Sequence, residues 1–340
     1  MELTRNRLTE IFTRYADLKI ALVGDLFLDQ WFEIDPSLNE ISLETGKTAH
    51  QVVGRRTSPG AGGNVLSNLA AMGAGKLWVI SLIGHDGIGW ELLQLLKARG
   101  IDVSRILWSD AIMTPSYIKP MSPDEGERFD IKNFTTTPTE LENELIDRLQ
   151  TVAAEADAVI LLDQVCEPDC GVITERVRAA AAKAAEANPD TLFIADSRAF
   201  AHAFRNVILK CNNFEAAELS GRVADENEFN RHEIFACMDD IETLTGRPVI
   251  ITCNRHGIAV RDGGEQRILP AVRFSGPIDV CGAGDACTAA FAMSLCAGAS
   301  MTEAAEIANL AAGVTVRKLN ETGTATQAEM LAMLSEQQAF

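Results

Sequence analysis

Short apolar runs recur along this chain, and each is followed by a stretch with the composition and period of a helix. The first run is Lys19-Ile-Ala-Leu-Val-Gly24, and others lie at 77–82, 158–162, 191–195, 207–209 and 248–252. Residues within these runs do not alternate between apolar and polar, so strands built from them must be covered on both faces. Helical stretches fall at 65–72, 89–99, 171–187 and 286–296, with Gly100 as a C-terminal stop and an Ala-rich run of high helix propensity at 178–187. The pattern predicts an α/β fold with a mostly parallel central sheet flanked by helices. Asp163, Asp196, Asn212 and Thr252 each fall at or just past the end of a predicted strand. Open α/β sheets bind their ligands at that edge.

Two segments break the rhythm, about 35–56 and 113–133. Both are polar and partly alternating, as in Tyr117-Ile-Lys-Pro-Met121 and Glu127-Arg-Phe-Asp-Ile-Lys-Asn133. They are too strand-like for helices and too polar for a central sheet, which predicts a small β-sheet lid projecting from the main body. The 340 residues allow one large domain or two small ones at roughly 100–200 residues each. No linker, repeat or low-complexity tract divides them, so one domain over 1–340 with its lid is expected.

Charge and cysteine usage bound the partners. The net charge is −18, and the longest basic run is Arg55-Arg56. Such a chain repels phosphate backbones, so nucleic-acid binding is not expected. No apolar stretch reaches the roughly 20 residues of a membrane helix, since 283–299 is broken by Gly, Asp, Thr and Ser. The first 14 residues hold no apolar secretory core. Among the eight cysteines there is no Cys-x-x-Cys, and Cys166-x3-Cys170 has no His nearby to complete a zinc set. Reduced thiols in a cytoplasmic protein, with no membrane partner, are the expectation.

Two glycine-rich turns and one acidic turn carry the candidate chemistry. In Asp279-Val-Cys-Gly-Ala-Gly-Asp285 the glycines precede a helix. Backbone N–H groups and the positive end of the dipole would make Gly282, Ala283 and Gly284 an anion hole. Asp285 would repel an anion held there, so its carboxylate makes sense as a base taking a proton from an attacking hydroxyl. A plain helix cap would look the same on this motif alone. Pro59-Gly-Ala-Gly-Gly-Asn64 also enters a helix, and Asn64 offers both donor and acceptor to hydroxyls. Gly24-Asp25-Leu-Phe-Leu-Asp29 places two acids after the first strand. Asp29 could accept hydrogen bonds from a polyol or be a solvated turn residue.

Together, in this order and separation, these turns resemble the signatures of the ribokinase-like (PfkB) carbohydrate kinases, over essentially the full chain. Gly60-Ala-Gly-Gly-Asn64, continuing through Gly73, Gly84 and Gly89, is similar to the N-terminal signature, and Asp279-x-x-Gly-Ala-Gly-Asp285 to the C-terminal one. Within the family the chain most resembles the D-glycero-D-manno-heptose 7-phosphate kinase type. That likeness rests on Val23-Gly-Asp-Leu-Phe-Leu-Asp29, Ile41-Ser-Leu-Glu44, Arg128-Phe-Asp130, Asn212-Asn-Phe-Glu215, and Asn309-Leu-Ala-Ala-Gly-Val314 with Lys318-Leu319.

The resemblance implies a ribokinase-like fold and transfer of the ATP γ-phosphate to a sugar or sugar-phosphate hydroxyl. Asp285 would be the base, with Gly282, Ala283 and Gly284 donating to the transferring phosphate. Positioning and charge neutralisation do most of the work in such reactions. Asn212 and Glu215 match the motif that handles Mg²⁺ and phosphates, usually through water. Asp29, Gly62, Gly63 and Asn64 would bind sugar hydroxyls. Thr252, Gly257 and Asn309 would line the nucleotide pocket, and Asp279 lies where the family often binds a monovalent cation such as K⁺. Lys119, Arg128, Lys132 and Arg55 could meet a sugar phosphate from the lid, or simply be solvated.

Three departures stand out: Asn254 where the family has Gly, Lys318-Leu-Asn320 for Lys-Leu-Gly, and Lys132 for an acid after the Arg128 motif. His256, beside Asn254, reads as a surface loop residue rather than a catalyst. Lids in this architecture often pair between subunits, so a homodimer is expected. The bifunctional heptose proteins carry a nucleotidyltransferase after the kinase, and no such second activity is expected here. Alternatives are a kinase for an unphosphorylated sugar or a nucleoside, or a non-catalytic sugar- or nucleotide-binding homologue. The intact Gly-Ala-Gly-Asp285 argues against the last. A dehydrogenase would need a Gly-x-Gly-x-x-Gly after its first strand.

Overall fold

The computed structural model describes residues 2–122, 124–223, 229–319 and 322–338. The strands are β1 (Lys19–Gly24), β2 (Leu26–Ile34), β3 (Glu40–Ile41), β4 (Thr48–Ala49), β5 (Val52–Ala61), β6 (Lys76–Gly84), β7 (Ile106–Ser109), β8 (Ser116–Met121), β9 (Phe129–Ile131), β10 (Ala158–Asp163), β11 (Leu192–Ser197), β12 (Ile208–Asn212), β13 (Val249–Thr252), β14 (Ile258–Asp262) and β15 (Glu265–Leu269). The helices are α1 (Arg5–Thr13), α2 (Gly62–Ala71), α3 (Gly87–Lys97), α4 (Thr139–Ala153), α5 (Glu175–Ala187), α6 (Asn213–Leu219), α7 (Arg231–Thr245), α8 (Ala283–Cys296), α9 (Met301–Thr315) and α10 (Gln327–Gln338).

Among the described residues nine strands form the central sheet, in the order β15-β14-β13-β12-β11-β10-β1-β6-β7. The pairings from β13 through to β7 are parallel, and only the β13-β14-β15 edge is antiparallel. The continuous apolar runs are explained by the two faces they serve. Ile20 and Leu22 of β1 pack on one side with Leu66 and Leu69 of α2 and Phe291 of α8. Ala21 and Val23 point to the opposite side, with Leu145 and Leu149 of α4 and Val177 of α5. All four β1 residues are fully buried, each apolar side chain of Leu, Ile or Val size contributing about 1.5–3 kcal/mol.

The lid is a second sheet, β5-β2-β8-β9, and its centre differs from the expectation. The lid segments expected at about 35–56 and 113–133 supply β8, β9 and the first half of β5. The strand β2, which pairs with both β5 and β8, lies upstream of them at Leu26–Ile34. Its first residues Leu26, Phe27 and Leu28 are buried, so no polar alternation marks it as lid. Asp29 is therefore a mid-strand residue and not part of a turn. Helix α8 also starts earlier than the sequence suggests, at Ala283 instead of Ala286, so Asp285 lies in its first turn. No helix among the described residues is long and apolar enough to cross a membrane, and all eight cysteines are free.

Candidate active site

The N-terminal turns of α8 and α2 meet at Asp285. Gly282 caps α8 in the left-handed region (φ 78°), and a Cβ there would stand 2.7 Å from Asn64 Nδ2. Glycine thus meets both the backbone turn and the close approach of α2. Asn64 Nδ2 donates to Asp285 Oδ2 at 2.6 Å. Gly62 and Gly63 make this approach possible, because a Cβ would lie 2.8 Å from Asp25 O at Gly62 and 2.5 Å from Pro59 Cβ at Gly63. The Gly62 N–H is bonded to Asp25 O, so what Gly62 visibly does is pack α2. Burial pushes the Asp285 carboxyl up to about 6; the Asn64 bond and Lys210 oppose this, while Asp196 and Asp29 add to it.

The N–H groups free to meet an anion are not quite the three expected. Ala283 N–H is spent on Val280 O. Among the described residues the N–H groups of Gly282, Gly284 and Asp285 have no partner, and the last two lie in the first turn of α8. Beside them is a cation that sequence reasoning missed. Lys210 is 8% exposed, and its Nζ lies 3.2 Å from where a Gly284 Cβ would be. Nζ donates to Asp196 Oδ2 at 2.8 Å, and Thr288 Oγ1 donates to the same oxygen. Burial works against the Lys210 charge, but Asp196 outweighs it and holds the ammonium above its ordinary range. A lysine inside the apolar run 207–209 and its extension was the signal available in the sequence.

Asn212 and Glu215 cap α6 reciprocally. Asn212 Oδ1 accepts from the Phe214 and Glu215 N–H groups, and Glu215 Oε2 accepts from Asn212 N–H at 2.7 Å. Burial, with Asp196 adding, raises the Glu215 carboxyl, and the Asn212 bond and Lys210 oppose it. A cavity of about 1060 Å³ adjoins this cluster, lined by Lys210, Asn212, Thr252, Gly257, Ala283, Gly284 and Asn309. The sequence reading thus brought together most of one wall. It missed the apolar part, where Phe214, Val223, Ile278 and Val280 line the same space and are 39–92% exposed. His256 also lines the cavity, stacked on Phe229 with ring centroids 4.0 Å apart. Asn309 Nδ2 donates to Leu269 and Pro270 carbonyls, so it shapes the wall by holding the end of β15.

The two acids after β1 separate cleanly. Asp25 accepts from the N–H groups of Gln164, Val165 and Val172 and clamps the loop after β10. Asp29 on the lid is 9% exposed, and its Oδ1 is buried with no hydrogen-bond partner among the described residues. A buried carboxylate oxygen left unpaired is costly, and a ligand hydroxyl donating to it would relieve that cost. Of the lid cations, Arg55 is held by Gln30 and Glu91, Arg128 is paired with Asp130, and Lys132 lies 3.4 Å from Glu167. Lys119 makes no close ion pair among the described residues; its ammonium lies over Trp31, 5.0 Å from the ring centre, and its charge favours the ionised form of Asp29. Asp279 Oδ1 accepts from Cys281 N–H within the loop before α8.

Residues 19–328 match the family described as pfkB family carbohydrate kinase. The chain belongs to this family. Its members are phosphotransferases with an alcohol acceptor. Among curated relatives, bifunctional protein HldE of Trichlorobacter lovleyi is 29% identical over 97% of this chain and 66% of its own length. HldE of Caulobacter vibrioides is 30% identical over 95% of this chain and 65% of its own. The chain thus spans just under two thirds of the length of these relatives. In fold it is similar to phosphofructokinase-2 from Escherichia coli in complex with potassium (TM-score 0.74, 18% identity, 94% of this chain and 99% of that one). It is also similar to Arabidopsis thaliana ribokinase complexed with ribose and ATP (TM-score 0.72, 18% identity, 93% and 98%). These likenesses establish the ribokinase-like fold.

Of the three departures from the family pattern, one has a structural answer. Asn254 takes φ 49°, the left-handed region that glycine enters freely and Asn tolerates better than most residues. The turn after β13 is therefore one that Asn can form in place of Gly. Asn320 lies outside the described residues. Lys132 is engaged by Glu167.

Proposed function

We propose that this pfkB-family chain is an ATP-dependent kinase that transfers the γ-phosphoryl group to a hydroxyl of a sugar or sugar phosphate, of the heptose 7-phosphate kind. The observation that carries the reading is Asp285, with one carboxylate oxygen held by Asn64 and the residue flanked by Lys210 and the lid's Asp29. In this reading Asp29 and Asn64 orient the acceptor, and the second oxygen of Asp285 takes the hydroxyl proton. The alkoxide oxygen bonds to the γ-phosphorus as the bond to the ADP oxygen breaks. Gly284 and Asp285 N–H groups and Lys210 then face the charge on the transferring phosphoryl. The exposed apolar residues of the 1060 Å³ cavity suit a flat nucleotide base.

Asn212, Glu215 and Asp196 are hard oxygen donors around a single lysine, which suits Mg²⁺ held with its waters. Among the described residues no three His, Cys, Asp or Glu side chains are grouped to hold a metal unaided. Bound with the nucleotide, the ion would supply neutralisation of phosphate charge. K⁺ at the Asp279 loop, a cytoplasmic location and a homodimer paired through the lids belong to the same reading. Val52, Val53 and Phe129 of the lid are 50–61% exposed, which favours a lid-to-lid interface. Sedimentation at micromolar concentration should show a dimer, and a monomer there removes that part.

An unphosphorylated acceptor is the second reading, because Arg55, Arg128 and Lys132 are each engaged by carboxylates of the protein itself. An ATP-consumption screen over neutral sugars and sugar phosphates, run in KCl and in NaCl, separates the two. For a sugar phosphate, Lys119→Glu should raise KM at least tenfold with kcat little changed. Highest turnover on a neutral sugar, with KM unmoved in that variant, would establish the second reading.

A further inference from the structure

Asn64 can help Asp285 only in one of two orientations. Its amide could present Nδ2, a donor, or Oδ1, an acceptor that would face a carboxylate with like polarity. What decides is one turn along α2, at the fully buried Asn68. Residues four apart on a helix share a face. Two backbone groups of fixed polarity set the Asn68 amide. Ala325 N–H donates to Asn68 Oδ1 at 3.2 Å, and Asn68 Nδ2 donates to the Asn64 backbone carbonyl at 3.0 Å. Neither bond survives an exchange of N and O. So oriented, Asn68 Nδ2 also lies 3.3 Å from Asn64 Oδ1. That turns the Asn64 Nδ2 toward Asp285, where the bond is 2.6 Å.

We propose that Asn68 is a positioning residue for the reaction, fixing the Asn64 amide so that Asp285 keeps one oxygen bound and the other available as base. This rests on Asp285 being the base. The relay Ala325–Asn68–Asn64–Asp285 ties the segment before α10 to the catalytic turn, across 257 residues at its first bond and 221 at its last. Its effect is opposed to burial. Asp196 from β11, Asp29 from β2 and Lys210 from β12 face Asp285, and Asn64 is its hydrogen-bond donor; Cys281 lies on the same loop. With the two acids disfavouring ionisation, the Asn64 donor and Lys210 are what keep the base charged near neutral pH.

The test is a double-mutant cycle on the full chain, comparing wild type, N64A, N68A and N64A/N68A, with D285N alongside. Steady-state kinetics across pH use the acceptor of highest turnover in the screen, and a thermal melt accompanies each variant. Asn68→Ala should lower kcat about tenfold and move the acid limb of kcat/KM up by about one pH unit, as loss of a bond to a charged group predicts. In the N64A background it should change neither further. Asn68→Ser keeps a polar group whose single proton bonds the carbonyl four residues back, leaving Asn64 Oδ1 without a donor. It should therefore show the same shift even if the alanine variant does not fold. An unmoved acid limb in N68S, or equal kinetic effects of N68A in both backgrounds, overturns the proposal. Wild-type turnover in D285N would remove the base itself, which is a separate failure.

Discussion

Replacing Asp285 by Asn is expected to lower kcat by roughly 10²–10⁴-fold, the range for loss of a general base, while making the folded protein more stable at neutral pH. The kinetic half follows from geometry. Asn keeps the size of the side chain and an acceptor for Asn64 Nδ2, but cannot take a proton. The stability half follows from linkage. The Asp285 carboxyl is held up at about 6 against an ordinary value of 3.8, chiefly by burial. A carboxyl raised in the folded state costs stability progressively as pH rises from about 4 to 6, and the full cost persists above that. Asn carries no such cost. Because the side chain is only partly buried, the gain should be about 1–3 kcal/mol at most, absent below about pH 4 and constant above about pH 6. The same shift predicts that wild-type kcat/KM falls about tenfold per pH unit below pH 6, as the base protonates. Thermal melts of both proteins at pH 4 and pH 7.5, with a kcat/KM profile from pH 5 to 8, check all three. Equal turnover in D285N removes Asp285 as base.

The central strands were legible because a strand covered on both faces has no choice but apolar residues, as Ile20 to Val23 show. Asn212 and Glu215 were legible as a pair three apart, which a helix start brings into mutual reach. The start of α8 was misplaced because Gly-Ala-Gly carries little helix propensity, and the cap comes from the left-handed Gly282 instead. Strand β2 was hidden because its buried half looks like core. The lid cations could not be judged at all from composition. Whether Arg55 is available depends on Glu91 and Gln30, and Arg128 on Asp130. The bond from Asn64 to Asp285 spans 221 residues, and no local pattern encodes it. Local rules therefore recovered the frame and the motifs, while the pairing of charges waited for the fold.

Lys210 is where that distinction has the largest measurable consequence. Its replacement by Met is expected to cost stability and activity together, and the two losses can be separated. Lys210 and Asp196 form a largely buried pair at 2.8 Å, with side chains 10% and 19% exposed. Removing one partner of a buried pair typically costs about 3–5 kcal/mol, because the other charge is left behind. Asp196, left beside Asp285 and Glu215, should then push both carboxyls further up, moving the acid limb of the rate profile to higher pH. Adding Asp196→Asn removes the stranded charge. The double variant should recover most of the lost stability, since an ion pair exchanged for neutral groups is close to neutral in free energy. If Lys210 serves only to neutralise Asp196, turnover of the double variant should equal that of D196N alone. If its ammonium beside Gly284 faces the transferring phosphoryl, kcat should stay roughly 10²–10³-fold below that of D196N, the scale of one lost electrostatic partner in a transition state. Melting curves and kcat for K210M, D196N and the double variant decide the matter. With stability restored, turnover equal to that of D196N would make Lys210 a structural counter-ion, and turnover well below that of D196N would place it in the reaction.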